Sequence, residues 1–293
     1  MQKLFRNVSA NVRPPAVAGR FYPDNPAELR RMVENFLHEA VARVSRPCVS
    51  TQSEALETHG RDARATMPKA IIAPHAGFIY SGPIAASAYA QLAPSRDSIK
   101  RVVLLGPSHF ALFDGLAASS AEVFATPLGK VPVDTAATRD LCSRLPQVRV
   151  RDEAHADEHA LEVQLPFLQM VLADFKIVPL LVGEATDDEI AAVIEALWDG
   201  EETRIVISSD LSHYHDYQTA QQTDSETARA IESLDWKKLR GDLACGCRPI
   251  CGLLSAAKER GLRCRAVDLR NSGDTSGERD RVVGYGAFVF TQN

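Results

Sequence analysis

The sequence lacks any apolar run close to the roughly 20 residues that a membrane-spanning helix requires. Its first 15 residues, MQKLFRNVSANVRPP, lack the apolar core of a secretion signal. Basic residues are not in excess, because 33 lysines and arginines stand against 38 aspartates and glutamates, for a net charge of -5. A broad basic face for nucleic acid is therefore not expected. We expect a cytoplasmic protein without membrane or nucleic-acid partners that acts on small molecules or proteins.

Several signatures of nucleotide-binding and hydrolytic enzymes are also missing. The chain contains no G-x-x-x-x-G-K-[ST], no strand-to-helix G-x-G-x-x-G and no G-x-S-x-G. These absences argue against a P-loop protein, a dinucleotide-binding protein and a serine hydrolase. Cysteine is sparse, with six residues in 293. In the absence of an export signal, this number favours free thiols over a disulfide framework.

The chain does contain a regular alternation of short apolar runs and segments of helical periodicity, from Lys69 onward. This alternation predicts an α/β fold with a central sheet whose inner strands are mostly parallel and covered by helices on both faces. No repeat or linker divides it, so we expect one domain. Upstream, Asn25 and Pro26 form a helix start signal. The polar, aperiodic segment 46–66 is predicted to be a loop or a disordered insertion.

Three of the predicted strands are followed within a few residues by a histidine. KAIIAPHAG leads to His75, RVVLLGPSHF to His109 and TRIVISSDLSHY to His213. In open α/β sheets, ligands bind at the carboxyl ends of the strands, where loops from neighbouring strands converge. Adjacent strands lie about 4.8 Å apart, and imidazole binds first-row metals at about 2.0–2.1 Å. The three histidines together indicate a metal site, whereas one alone would more simply be a loop residue bonded to a carbonyl.

A cysteine cluster, ACGCRPICG, offers a further ligand. Pro249 suits the first turn of a helix, so Cys245 and Cys247 precede a helix N-terminus. The helix dipole and neighbouring Arg248 are expected to favour a thiolate, which is both a metal ligand and a nucleophile. The alternative is a pair of buried turn cysteines. The C-x-C-x3-C spacing is not typical of a zinc ribbon or an iron–sulfur site.

Two acidic positions accompany these histidines. The segment DEHALEVQLPFLQMVL predicts a helix that begins at about Asp157. On this helix His159 and Glu162 would lie on one face, as an acid/base pair or as orienting groups. Acidic residues in a first helical turn also have a simpler explanation in the helix dipole. Asp210 directly follows its strand and could accept a ring proton from a liganding histidine or cap the next helix.

Six motifs, in this order, resemble the Memo family, which in bacteria includes the AmmeMemoRadiSam system protein B. They are RPPAVAGRFYP, APHAGFIYSGPIAASAY, LLGPSHF, DEHALEVQLPFL, SSDLSHY and CGCRPICGLL. The resemblance implies a single domain over residues 13–293 with the fold of class III extradiol dioxygenases. It also implies an iron(II) or copper ion held by His75, His109 and Cys245. Asp210 and His213 would then be pocket residues and, with His159, the candidate catalytic groups.

At two places this sequence differs from the related protein families. Dioxygenases of this fold have a glutamate as third ligand, and a cysteine in its place changes the redox potential and the charge of the site, which argues against catechol cleavage. Cys247 and Arg248 stand where animal Memo proteins have Arg-His. Cys247 is therefore the alternative sulfur for the metal.

The expected function is a metal-dependent oxidative activity on a substrate that the sequence does not name. One alternative is a non-catalytic protein that holds a peptide or small ligand in the same crevice, as has been proposed for animal Memo proteins with phosphotyrosine peptides. A second is a metal-independent cysteine hydrolase that pairs Cys245 with a histidine. The resemblance further implies AMMECR-type and radical SAM proteins of the same system as partners.

Overall fold

The computed structural model describes residues 10–44, 67–198, 200–275 and 277–292. The segment 46–66, predicted as a loop or disordered insertion, lies outside the described residues. In the described ranges the α-helices are α1 (Pro26–Val44), α2 (Phe78–Tyr89), α3 (Thr135–Arg144), α4 (Asp152–Ala156), α5 (Leu165–Val171), α6 (Asp187–Ala196), α7 (Tyr217–Glu232) and α8 (Cys247–Glu259). The β-strands are β1 (Val12–Arg13), β2 (Ala70–Ala73), β3 (Arg101–Pro107), β4 (Leu116–Ala118), β5 (Val123–Thr126), β6 (Gly129–Pro132), β7 (Val148–Val150), β8 (Lys176–Val182), β9 (Thr203–Ser208), β10 (His213–His215), β11 (Arg263–Asn271) and β12 (Val282–Thr291).

The central sheet has parallel inner strands in the order β2-β9-β3-β8. On one side, β12 pairs antiparallel with β2 and also with β10 and β11. On the other side, β4 joins β8 antiparallel and pairs in parallel with β7. The sheet is therefore mixed at its margins, and its parallel centre confirms the predicted α/β fold.

The strand register brings the histidine-bearing loops to one edge of the sheet. Ala73 at the end of β2 aligns with Ser208 at the end of β9, and Leu105 of β3 aligns with Ile207. The loops after β2, β3 and β9 therefore leave the sheet side by side, as expected for neighbouring parallel strands.

The inner strands are buried because helices cover both faces of the sheet. Successive residues of a strand point to opposite faces, and accordingly Ile71 packs in one apolar cluster and Ile72 in the other. The first cluster includes residues of α1, α2 and α5, and the second includes residues of α6, α7 and α8. Helices α6 and α8 approach closely at Gly252, where a Cβ would lie 2.3 Å from the side chain of Ile190.

An N-terminal arm precedes the sheet and joins a small second sheet, in which β5 pairs with β1 and β6. The predicted helix start is confirmed, because the Asn25 side chain accepts hydrogen bonds from the N–H groups of Ala27 and Glu28 at the beginning of α1. None of the helices in the described ranges is long and apolar enough to cross a membrane.

Candidate metal centre

His75 lies just after β2 with 2% of its surface exposed. Its Nδ1 is 2.9 Å from the hydroxyl oxygen of Ser208, and that hydroxyl donates its proton to the carbonyl of Ala160 at 2.6 Å. Because a hydroxyl has one proton, Ser208 can only accept from the His75 ring. Nδ1 of His75 is therefore protonated, and its Nε2 keeps a free lone pair.

Glu158 orients the two other histidines of the site. Its carboxylate oxygen Oε1 lies 2.9 Å from Nδ1 of His109 and 3.1 Å from Nδ1 of His159. The backbone N–H groups of His109, His159 and Ala160 also donate to this carboxylate, at 2.6–2.9 Å. Burial opposes ionisation of Glu158, but the hydrogen bonds from His109 and His159 outweigh it and hold its pKa well below the usual range. Both rings therefore present Nε2 as the free nitrogen.

The three imidazoles converge on one point. One ring nitrogen of each of His75, His109 and His159 lies within 4.8 Å of a ring nitrogen of both others. Two nitrogens bound to one ion at 2.0–2.1 Å lie at most about 4.2 Å apart, so any pair of these nitrogens farther apart than that would have to draw together around one metal. Burial, followed by the neighbouring His109 and His159, lowers the pKa of His75 well below its ordinary value, which keeps it in the neutral form that a ligand requires.

Cys245 is the sulfur beside these histidines. Its Sγ lies 3.2 Å from Nε2 of His75 and accepts the N–H of Asp210 at 3.3 Å. Cys247, the alternative sulfur, is directed instead toward Cys251, with 3.8 Å between the two Sγ atoms. Of the two candidates, only Cys245 contacts a histidine of the site.

The prediction that Cys245 is a thiolate is wrong for the metal-free protein. Burial, followed by the nearby charge of Asp210, raises the pKa of Cys245 to about 12. The helix begins two residues later, at Cys247, and the Arg248 guanidinium forms an ion pair with Glu184. A bound metal ion would have to displace the thiol proton.

Asp210 holds the His75 loop through the backbone rather than through the ring. Its carboxylate accepts the N–H of His75 at 2.7 Å, whereas the His75 ring bonds to Ser208. The prediction that Asp210 accepts a ring proton from that ligand is therefore wrong. It does not cap the next helix either, because Asp216 caps α7.

His213 faces the same cleft as the three converging histidines. The cleft has a volume of about 590 Å³, and its walls include His75, His109, His159, Asp210 and His213. Nδ1 of His213 lies 2.8 Å from the carbonyl oxygen of Leu211 and donates to it, which leaves Nε2 as a base. The structure thus brings all five candidate histidine and aspartate residues to one cleft, with Cys245 in contact with His75.

Glu162 is the one candidate partner that turns away from the cleft. It is fully buried and pairs with Arg13, and it accepts hydrogen bonds from the Tyr22 hydroxyl at 2.5 Å and the Ala16 N–H at 2.7 Å. The continuous helix predicted from about Asp157 does not form, since α4 ends before that residue and α5 begins only at residue 165. His159 and Glu162 consequently do not act as a pair.

Glu158 is the functional residue that sequence reasoning missed. In the sequence it is only one of the acidic residues near a predicted helix start, because nothing in DEHA distinguishes a buried carboxylate from an exposed one. The irregular turn between α4 and α5 folds Glu158 back against His109 and His159. A helix through this segment would have separated these groups.

The family model for a Memo-like protein matches residues 13–289. The chain belongs to the Memo family. A MEMO1 family protein of Aeropyrum pernix is 39% identical over 290 residues, covering 94% of this chain and 98% of that protein. A MEMO1 family protein of Sulfolobus acidocaldarius is 34% identical over 287 residues, covering 94% of this chain and 97% of that protein. The resemblance noted in the six motifs is thereby confirmed.

The fold also occurs in a solved structure of an uncharacterized Escherichia coli protein. That structure matches with a TM-score of 0.53 and 14% sequence identity, and covers 76% of this chain and 99% of its own. At this identity the similarity concerns the fold alone. The matched Memo region, 13–289, falls within the predicted domain of residues 13–293.

Proposed function

We propose that this Memo-family protein binds one iron(II) or copper ion at His75, His109 and His159 and carries out an oxidative reaction in the adjoining cleft. The observation that supports this most strongly is the protonation pattern of the rings. Ser208 and Glu158 take the Nδ1 protons, so that each ring carries its lone pair on Nε2, and one ring nitrogen of each histidine lies within 4.8 Å of a ring nitrogen of both others. Such partners fix ring orientation and raise ligand basicity in metal sites.

Cys245 is the fourth candidate donor in this proposal. The ligand set expected from the sequence is His75, His109 and Cys245; the sulfur contacts Nε2 of His75, but the group of candidate ligands that lie within 4.8 Å of one another is His75, His109 and His159. Imidazole with thiolate favours iron, copper or zinc over magnesium or calcium. A redox-capable ion bound by three protein ligands would supply oxidative and Lewis-acid chemistry and keep positions open for substrate.

The chain's own residues supply positioning and proton transfer in this proposal. His213 lies on the cleft wall with Nδ1 bonded to a carbonyl, so that its Nε2 can accept a proton from a bound molecule. Asp210 positions the His75 backbone. His159, expected from the sequence as a catalytic group, is proposed instead as a ligand because it shares the orienting carboxylate of His109.

The alternative is a non-catalytic protein that binds a peptide or small ligand in the same cleft. The cleft walls support this alternative, because Phe21, Tyr80 and Tyr214 line the cleft together with Arg281, whose guanidinium lies 5.1 Å from the Tyr214 ring centre. Aromatic and arginine side chains are typical of ligand-binding surfaces. In that case the metal would hold the ligand or the loops without turnover.

Two further expectations belong to this proposal. A cytoplasmic location is supported by the free thiols of Cys142, Cys245, Cys247, Cys251 and Cys264, which suit a reducing compartment. Association with AMMECR-type and radical SAM proteins rests on the family's bacterial system alone. Co-purification of such proteins with a tagged chain from its own cells would test it.

The proposal is tested by anaerobic reconstitution of the purified chain with iron(II) or copper(I), followed by metal analysis. We expect one ion per chain, and loss of binding in the double variant His75→Ala/His109→Ala. His215→Gln is the matched control, because His215 is exposed and does not line the cleft. Undiminished binding by the double variant would overturn the site.

Oxygen consumption by the iron-loaded chain, compared with the metal-free chain, then separates the enzyme from the binding protein.

A further inference from the structure

A second pair of sulfur atoms lies outside the candidate metal centre. Cys247 and Cys251 are four residues apart on α8, their Sγ atoms are 3.8 Å from each other, and their exposed fractions are 9% and 5%. We propose that Cys247 and Cys251 are a redox-active dithiol that closes to a disulfide on exposure to a peroxide. This modification site does not depend on the proposed function.

The bond requires the first turn of the helix to tighten. Residues four apart on an α-helix have Cα atoms about 6 Å apart, within the 4.4–6.8 Å range of protein disulfides, but their Cβ atoms lie about 5–6 Å apart, beyond the roughly 3.5–4.5 Å of a disulfide. Cys247 is the first residue of α8, where backbone N–H groups have no partner within the helix. Its N–H donates to the carbonyl of Ala244 in the preceding turn. Cys247 therefore lies at the end of α8, where the backbone is held by fewer helix hydrogen bonds than in the helix interior.

The surroundings favour a neutral disulfide over a bound metal ion. Both sulfurs belong to an apolar cluster with Ala244, Ile250 and Leu254. Two thiolates around a monovalent ion would bury a net negative charge there, which is costly. Among the described residues, His75, His109 and His159 form the sole group of three or more candidate ligands, so no third ligand joins these two sulfurs.

The reaction balances with hydrogen peroxide as the oxidant. The Cys247 sulfur attacks one peroxide oxygen, the O–O bond breaks, and a sulfenic acid and one water molecule form. The Cys251 sulfur then attacks the sulfenic sulfur, the S–S bond forms, and a second water molecule leaves with the remaining thiol proton. The two thiols lose two electrons in total, and the peroxide gains them.

Cys245 is kept apart from this pair by the turn between them. The N–H of Gly246 donates to the Ser209 hydroxyl at 2.9 Å, and a Cβ at this position would lie 2.6 Å from the Ser209 side chain. This tight contact holds Cys245 on the side of His75, while Cys247 turns toward Cys251. We therefore expect the disulfide to form without consuming Cys245.

The test is differential thiol labelling of the full-length chain. The reduced protein is treated with hydrogen peroxide and unfolded, its free thiols are alkylated, the disulfide is reduced, and the released thiols receive a second label. We expect two of the six thiols to become unavailable, to be recovered with dithiothreitol, and to carry the second label at Cys247 and Cys251. Trypsin does not cleave between Arg248 and Pro249, so Cys245, Cys247 and Cys251 stay in peptide 241–258, and fragment spectra must assign the labels.

Variants separate this pair from the other thiols. Cys247→Ser should abolish the second label at Cys251. Cys251→Ser should leave the Cys247 sulfenic acid without a partner thiol, so that dimedone traps it, whereas Cys245→Ser and the distant Cys142→Ser should keep the disulfide between Cys247 and Cys251. An unchanged thiol count in the treated wild-type chain, a second label on Cys245, or oxidation that dithiothreitol does not reverse would overturn the proposal. The labelling pattern of the wild-type chain tests the proposal even if a variant fails to fold.

Discussion

The carboxylate of Glu158 accepts hydrogen bonds from both the ring and the backbone N–H of His109. Oε1 lies 2.9 Å from Nδ1 of the ring, and Oε2 accepts the residue's own N–H at 2.6 Å. The ring cannot rotate without giving up a charge-assisted hydrogen bond, the stronger kind in proteins. The direction of the His109 lone pair is therefore set by a residue that would not touch the metal.

This relationship predicts that Glu158→Gln weakens metal binding by about 10–100-fold, the usual effect of losing an orienting partner of a ligand. Glutamine keeps one acceptor oxygen but loses the charge that both rings face. Chelator competition measures the affinity, and circular dichroism checks the fold. Glu153→Gln, at an exposed site on α4, is the matched control. Equal affinities of the two variants would show that Glu158 does not orient the ligands.

The ligand set can be determined by comparing His159→Ala with Cys245→Ser. We expect His159→Ala to lower metal affinity more, because three oriented imidazoles carry the proposed site and the pKa of Cys245 is raised to about 12. Titration of the copper-loaded variants measures this. Loss of binding in Cys245→Ser, with binding intact in His159→Ala, would instead establish the set expected from the sequence.

His213→Gln separates catalysis from binding. Glutamine preserves a hydrogen-bond donor and removes the basic nitrogen, so metal affinity should stay nearly unchanged. If the protein is an enzyme, oxygen consumption by the iron-loaded variant should fall by about 10²-fold or more, the usual contribution of a positioned acid or base. If it is a binding protein, there is no turnover to lose, and ligand affinity changes by about 1 kcal/mol, the scale of one neutral hydrogen bond.

His155 predicts a pH dependence of stability. It is buried, its Nε2–H donates to the carbonyl of Ala117, and burial lowers its pKa to about 4. An unfolded histidine titrates near pH ~6.5, so between these values the unfolded chain holds the extra proton and stability falls as pH falls. The contribution should reach about 2 kcal/mol between pH 7 and pH 5.

Urea unfolding of the metal-free chain at both pH values measures this. His155→Gln should reduce the loss of stability between them, while the exposed control His38→Gln should not. An identical pH dependence in wild type and His155→Gln would contradict the assignment. Burial lowers the pKa of His75 as well, in the same sense, so the difference between the variants isolates His155.

The order of strands and helices, and the positions of the histidines, could be predicted from the sequence. Runs such as VVLLGP are apolar on every residue because helices cover both faces of the sheet, and this pattern can be read from the local sequence. The cap at Asn25 is local as well. Since parallel strands end at one edge, His75, His109 and His213 could be assigned to one cleft without knowledge of strand order.

The direction of each side chain at that edge was decided only by the tertiary structure. Glu158 and Glu162 are four residues apart in one motif, yet the first holds two histidines and the second pairs with Arg13, 149 residues away. Cys245 and Cys247 diverge in the same way, one to His75 and the other to Cys251. The sequence by itself determined which residue types reach the cleft. Which of them face it depends on irregular turns and on distant partners, and neither leaves a local pattern.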